Sequence, residues 1–350
     1  MTRATLVAGL VCWLIASVIG GCGRGEQREV VLYTSADDYL VREVVSAYER
    51  KSGVRVRVQG DTEATKTTGL VLRLLAEKAN PRADVWWSSE PFGTIRLARE
   101  GVLERYVSAV SEADLGGKWP ATLRARDEMW YGFGSRGRVI AYNTDLTPRE
   151  DVPRTLRDLT DPKWAGRVGI ARPQFGTTRG HVGALAMMCG EPALRAWLEA
   201  MKASGVRIYD GNATVVQAMA RGEILLCLTD TDDVYAGQRN GWPVDLVYET
   251  LDESTPEGLC SFGPLVMPNT VALVRGAPNR DEGVALIDFL LSEEVERIMA
   301  NSESRNAPVR PHVAAEFAQF AIPMLAEIDL YAVADAMDGA VAICEDVLGK

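Results

Sequence analysis

The sequence predicts an α/β protein of two lobes, each assembled from separated stretches of chain. Three observations carry this reading. Short apolar runs alternate with amphipathic helical stretches between Val30 and Trp87. A glycine-punctuated run, Gly132 to Tyr142, interrupts that alternation, which restarts between Val168 and Tyr248. A further apolar run at Val271–Val274 follows the second block and leads into more helix. Strand–helix alternation predicts a mainly parallel sheet with right-handed crossovers. An interruption between two such blocks marks a crossing from one lobe to the other.

Each element has its own signal. Val30 to Tyr33 is a short apolar strand, and Ser35 offers an N-cap to the helix that follows. Leu40, Val41, Val44, Val45 and Tyr48 recur there at helical spacing until Gly53. Val54, Val56 and Val58 alternate with arginines, as in a half-exposed strand. Leu70, Val71, Leu74 and Leu75 mark a second helix stopped by Asn80-Pro81. Asp84 to Trp87 is a third strand ending in Ser88-Ser89-Glu90. Adjacent Trp86 and Trp87 face opposite sides of it, one toward the core and the other within reach of a cleft. In the second block, Val168–Ile170, Ile208–Tyr209, Ile224–Leu228 and Val244–Tyr248 are strands. Helices begin at Val182 and at Ala213, the latter capped by Asn212. Cys260 to Pro264 reads as the return crossing, Ile287 to Met299 as one helix, and the chain after Pro311 as a mostly helical tail. The resulting division is 29–137 plus 262–308 for lobe 1 and 138–261 plus 309–350 for lobe 2.

The N-terminus carries an export signal. Arg3 precedes an apolar run, Leu6 to Ile19, of about 14 residues, too short to span a bilayer comfortably. The run ends in Ile19-Gly20-Gly21-Cys22, which resembles the bacterial lipobox. That resemblance implies a lipoprotein signal peptide at 1–21, acylation of Cys22, and a tether at 22–28. The alternative is an ordinary cleaved signal with an incidental cysteine. The lipid reading places the protein outside the cytoplasm, periplasmic or on the cell surface, and anchored to a membrane.

Composition narrows the function classes. Hydrophobic residues at 47% and charged residues at 25% place the chain among globular proteins. A formal charge of −10 without a long basic run argues against a nucleic-acid partner. Two histidines, His181 and His312, are too few for a multi-histidine metal centre. Cys189, Cys227, Cys260 and Cys344 show no C-x-x-C pair. One disulfide and buried free thiols are both open, and spacing does not choose a pairing. No nucleophile-elbow, phosphate-loop or zinc-hydrolase signature is present, which argues against an enzyme.

Several runs, taken together in their order and spacing, point to a family. They are Tyr33-Thr34-Ser35, Ala83 through Glu90, Leu159 through Arg167, Asp210-Gly211-Asn212, Gly222-Glu223 and Pro268 through Leu273. These resemble the periplasmic solute-binding proteins of bacterial ABC importers, and among them the ferric-iron-binding branch. The resemblance spans nearly the whole chain after the leader. It implies a type II periplasmic-binding-protein fold, two lobes closing on a cleft, and a monomer that serves an ABC permease and ATPase complex. It implies no cofactor; a bound metal, Fe³⁺ or another hard cation, would be the transported ligand. The branch holds iron with phenolates, including an adjacent tyrosine pair. Registered on Gly222-Glu223, that pair falls on Asp232 and Asp233. The first-loop ligands fall on Asp37 and Asp38, and a further tyrosine position falls near Phe175. Carboxylates thus replace the phenolates, and uptake is implied more directly than ferric iron.

The candidate cleft follows from these positions, because ligands of open α/β sheets sit at the C-terminal ends of strands. Asp37, Asp38, Glu90, Asp232 and Asp233 form the candidate cation set. Clustered carboxylates repel one another unless protonated or bound to a cation, and hard cations prefer oxygen. Helix capping by Asp37 and Asp230, and a first-turn position for Asp232 and Asp233, is the alternative. Gly176, Thr177, Thr178 and Asn212, at helix starts, suit an anion or simply cap. Ser35 and Arg138 complete the candidate lining, with Arg136 beside the hinge pairing the acids or lining the cleft. The competing functions are an organic-solute binder of the same fold (phosphonate or polyamine-like), a ligand sensor for a membrane kinase, and a metal-dependent hydrolase.

Overall fold

The computed structural model describes residues 28–61, 67–110, 119–120, 123–252, 259–324 and 326–349. The leader, most of the tether and the lipidation candidate Cys22 lie outside the described residues. Among the described residues no helix is long and apolar enough to cross a membrane.

The first block runs β1 (Glu29–Thr34), α1 (Asp38–Ser52), β2 (Arg55–Gly60), α2 (Thr68–Ala76), β3 (Val85–Ser88), α3 (Pro91–Arg99) and β4 (Leu103–Glu104). β5 (Tyr131–Asn143) follows. The second block is β6 (Val168–Ala171), α4 (Gly176–Cys189), α5 (Glu191–Ala203), β7 (Arg207–Tyr209), α6 (Asn212–Ala220), β8 (Leu226–Asp230), α7 (Thr231–Arg239) and β9 (Val244–Val247). β10 (Leu251–Asp252) and β11 (Ser261–Phe262) form a separate hairpin-like pair. The chain closes with β12 (Val266–Val274), α8 (Arg280–Leu290), α9 (Glu293–Asn301), α10 (Pro311–Glu316) and α11 (Leu330–Leu348).

The strands line up as β2-β1-β3-β12-β5-β8-β6-β7. β1 is parallel to β2 and β3, and β6 is parallel to β7 and β8. β5 joins the two halves. Its first part, Tyr131–Gly137, is antiparallel to β12, and from Arg138 it is antiparallel to β8 and, further on, β9. All of its residues are buried, which suits a strand covered from both lobes. The ladder shifts register at Pro268/Asn269, opposite Gly134. Gly134 has φ 55, and a Cβ there would sit 2.5 Å from the Met299 methyl carbon, so only glycine fits the kink.

Several expected boundaries move. The return crossing is β12, whose first residues pair with β5, rather than Cys260 to Pro264. The single helix expected at 287–299 is two, because Ser292 stops one and caps the next, its Oγ accepting from the Val295 N–H. The tail divides between lobes. Arg310 and Glu296 form a fully buried pair at 2.8 Å that ties α10 to α9, whereas α11 packs on α4 and α5. Trp86 and Trp87 do point to opposite sides, but both are fully buried. Their indole N–H groups donate to Thr94 Oγ1 and Asn269 Oδ1, so neither reaches the cleft.

Both cysteine alternatives hold. Cys189 and Cys260 form a disulfide, and Cys227 and Cys344 are buried thiols. Burial pushes the Cys344 thiol up to about 12, which makes it a poor nucleophile. Beside the bridge, Ser261 Oγ donates to Glu249 Oε1 at 2.8 Å. Burial, opposed by this hydrogen bond, pushes the Glu249 carboxyl up to about 7. An acid raised on folding contributes stability below its unfolded pKa that is lost as pH rises through the folded value. Glu249→Gln is therefore expected to match the wild type in urea unfolding near pH 4. At pH 8 it should exceed it by about 1–3 kcal/mol. Equal stability of the two proteins at pH 8 would refute the buried acid.

Candidate functional site

A polar cleft of about 310 Å³ lies between the loops after β1 and β3 on one side and the N-termini of α4, α6 and α7 on the other. Each strand in these units delivers its chain to the same edge, so the loops that follow converge. Three helix N-termini face one cavity, each bringing a partial positive charge. The N-cap residues of α4 (Phe175) and α7 (Asp230) make no side-chain cap bond.

Asp230, Asp232 and Asp233 stand at the start of α7 with one carboxylate oxygen each within 4.8 Å of the others. Asp230 is fully engaged. Its Oδ1 accepts from Arg138 Nη1 at 2.9 Å, and its Oδ2 accepts from Thr177 Oγ1 at 2.5 Å and Asn212 Nδ2 at 2.9 Å. Asp232 Oδ2 accepts from Arg136 Nη1 at 2.9 Å, and Asp233 Oδ2 accepts from Thr229 Oγ1 at 2.9 Å. Asp37 and Tyr39 face this cluster across the cleft, together with Ser89. Burial of the Tyr39 phenol, and then the charge of Asp37, hold its pKa above the ordinary tyrosine value. Arg136 and Arg138 are two apart on β5 and so share a face. Burial opposes the charged Arg136 guanidinium, but Asp232, Asp230, Asp37 and Asp233 outweigh that and raise its pKa. His181 lies beneath Arg138, and burial followed by that neighbouring charge lowers its pKa well below the usual histidine value.

Of the residues predicted from sequence, Asp37, Gly176, Thr177, Thr178, Asn212, Asp232 and Asp233 line this cleft. Arg138 lies just beneath its floor, its side chain 1% exposed. Three others lie elsewhere. Ser35 is buried one layer behind, where its Oγ accepts from the Thr67 hydroxyl and the Ser89 N–H; Asp37, not Ser35, takes the N-cap position of α1. Asp38 points to solvent and pairs with Arg42 at 2.8 Å, as a first-turn acid does. Glu90 caps α3, accepting from the N–H groups of Phe92 and Gly93, and burial raises its pKa. Asp38 and Glu90 therefore leave the cation set. Asn212 is the first helical residue of α6 rather than its cap, and its side chain serves Asp230. Phe175 also lines the cleft. Sequence reasoning assigned Asp230 a capping role and missed Ser89 and Tyr39. The signal for Tyr39 was its place two residues beyond Asp37, on the same short loop-to-helix turn.

Two lobes joined by crossing strands, with a polar cleft at the strand ends between them, define a binding protein of the type II periplasmic architecture. The chain belongs to the family of bacterial extracellular solute-binding proteins, whose profile matches residues 89–323. It is 30% identical over 323 residues to iron uptake protein A1 of Synechocystis, covering 86% of this chain and 82% of that one. It superimposes on iron-bound HitA from Pseudomonas aeruginosa with a TM-score of 0.77 at 25% identity, over 91% of this chain and 99% of the other. A more distant relative, 24% identical over 270 residues with 76% and 73% of the two chains covered, is a putative 2-aminoethylphosphonate-binding periplasmic protein of Salmonella typhi.

Proposed function

We propose that this chain captures a hard metal cation, Fe³⁺ being the first candidate, alone or with an anion, and delivers it to an ABC permease and ATPase complex. The observation that carries this reading is the cluster of Asp230, Asp232 and Asp233 in the cleft, faced by Asp37. Oxygen donors of this kind suit hard cations. The N-termini of α4 and α6, with the Thr178 hydroxyl, suit a companion anion. The names of the iron-uptake relative and of iron-bound HitA support the same choice. Capture and release need no catalytic step. Export, a lipid anchor at Cys22 and a monomeric state complete the reading, the first two resting on the N-terminal sequence.

A second reading is a zwitterionic organic solute. The cleft is larger than a bare ion needs, and it sets Asp37 opposite the N-termini of α4 and α6. An aminophosphonate would place its ammonium on the acids and its phosphonate on the N–H groups. A thermal-melt panel separates the two. Metal-stripped protein would be mixed singly and pairwise with ferric nitrilotriacetate, Mn²⁺, Ca²⁺, carbonate, phosphate and 2-aminoethylphosphonate. A ligand at 100 times its dissociation constant adds about 2.7 kcal/mol. Stabilisation by a metal supports the first reading. Stabilisation by the phosphonate alone would discard it.

Closure of the lobes has a defined seat. Phe92 of α3 lies against the bare backbone of α4 at Gly180, where a Cβ would come within 2.0 Å of its ring. Gly180→Val is expected to hold the lobes apart and to weaken ligand binding about tenfold or more by depopulating the closed state. Calorimetry measures the affinity, and small-angle scattering should show a larger radius. An unchanged affinity would mean that closure does not pass through this contact.

A further inference from the structure

We infer that Arg136 is a built-in counter-cation that occupies the carboxylate cluster in the unloaded protein and is exchanged for the captured cation. The inference rests on the reading of the cleft as a cation site. Arg136 sits on β5 at the crossing between the lobes, its side chain 8% exposed. Its Nη1 donates to Asp232 Oδ2 at 2.9 Å, and its Nε lies 3.5 Å from Asp230 Oδ2 without a hydrogen bond. Its Nη2 donates to the Ser89 carbonyl at 2.5 Å, in the loop that faces the cluster across the cleft. One guanidinium therefore spans two of the three acids and ties them to the opposite wall.

The two arginines of this face differ in how they are held. Arg138 is sealed beneath the acids, touching Asp230, Thr177, Asn212 and His181. Asp230 keeps three donors without Arg136, so releasing Arg136 leaves it satisfied. Asp232 is the acid for which Arg136 matters, and an entering cation needs the same oxygen. Like-charged groups in a confined, poorly solvated site repel strongly, so metal and guanidinium exclude each other there. Arg136 thus offsets the charge of the acids and sets a threshold that weakly charged cations do not pass. It is a specificity-determining residue, not a ligand.

The test compares wild type, Arg136→Gln and Arg136→Lys in metal-stripped form. Binding of Ga³⁺ (supplied as nitrilotriacetate) and of Mn²⁺ would be followed by calorimetry. Arg136→Gln is expected to bind at least tenfold more tightly, with the larger gain for Mn²⁺, and Arg136→Lys to bind as the wild type does. Equal or weaker binding by Arg136→Gln, with the wild type binding normally, would overturn the exchange and leave the cation site standing. Uptake of neither ion by any form would overturn the cation reading and this inference with it. If the glutamine variant does not fold, the wild type still decides. Its Arg136 Nε–H resonance, assigned by its absence in Arg136→Lys, must shift on loading with Ga³⁺, and an unmoved resonance overturns the proposal.

Discussion

Asp232→Asn with Asp233→Asn is expected to cost at least 100-fold in cation affinity while the protein stays folded. Asparagine keeps the carbonyl oxygen that accepts from the Asp233 N–H and from the Thr229 hydroxyl, so the first turn of α7 retains its local bonds. What disappears is two of the three negative charges in the cluster. The third, on Asp230, is already committed to Arg138, Thr177 and Asn212. A cation entering the double variant meets one engaged carboxylate, Asp37 across the cleft and two guanidinium groups. A 100-fold loss is about 2.7 kcal/mol, which would erase the stabilisation expected of a well-bound ligand. The unloaded protein should change by less, about 1–2 kcal/mol, since Arg136 keeps a neutral acceptor in place of a charged one. Calorimetry gives the affinity and circular dichroism the fold. Undiminished binding in a folded double variant would sink the carboxylate site.

The order of elements was legible because periodicity reports which face of an element meets the core. The alternation at Val54, Val56 and Val58 predicted a strand with an exposed face, and β2 lies at the sheet edge, where all its residues but Val56 are exposed. The glycines of the Gly132–Tyr142 run marked β5 as unusual, and it proved to be the strand shared by both lobes. Boundaries were less legible where a cap decides them. Ser292 inside an apolar helical pattern leaves the period intact, yet it breaks the helix because its hydroxyl competes for the backbone. α4 starts at Gly176, earlier than Val182, because Gly180 and Gly183 interrupt the apolar pattern while serving close contacts with Phe92 and Met337.

The site was legible in its second half and blurred in its first. Asp232 and Asp233 follow a fully apolar strand, and a buried strand must end at the cleft edge, so their position was set by burial. The turn from β1 into α1 offers Ser35, Asp37, Asp38 and Tyr39 in five residues, the first two in extended or loop backbone and the last two in the first helical turn. Only geometry decides that Asp37 and Tyr39 face the cleft while Asp38 faces solvent and Ser35 the interior. Glu90 failed for a related reason. A carboxylate next to Pro91 at a helix start serves two backbone N–H groups before it serves a ligand.

Replacing Cys189 and Cys260 together by serine is expected to lower stability by about 2–4 kcal/mol. The bridge closes a loop of 71 residues, from the last residue of α4 to the start of β11. That loop holds α5, β7, α6, β8, α7 and β9, which is most of the second half of the sheet and two of its three cleft-facing helix starts. Cross-linking so long a segment removes many conformations from the unfolded chain, and the chain-entropy estimate for a loop of this size is about 4 kcal/mol. The bridge leaves from the C-terminal end of α4, whereas Gly176, Thr177 and Thr178 meet the cleft at its other end. Loss of the bridge should therefore lower the melting temperature without changing ligand affinity. Reducing agent should bring the wild type down to the variant and leave the variant unmoved, since Cys227 and Cys344 are already buried thiols. A bridge of this kind also fits an oxidising compartment, in agreement with an exported protein. Melting temperatures that coincide for wild type and variant under oxidising conditions would show that the loop is not closed in solution, and an affinity that falls with the bridge would show that α4 transmits its C-terminal restraint to the cleft.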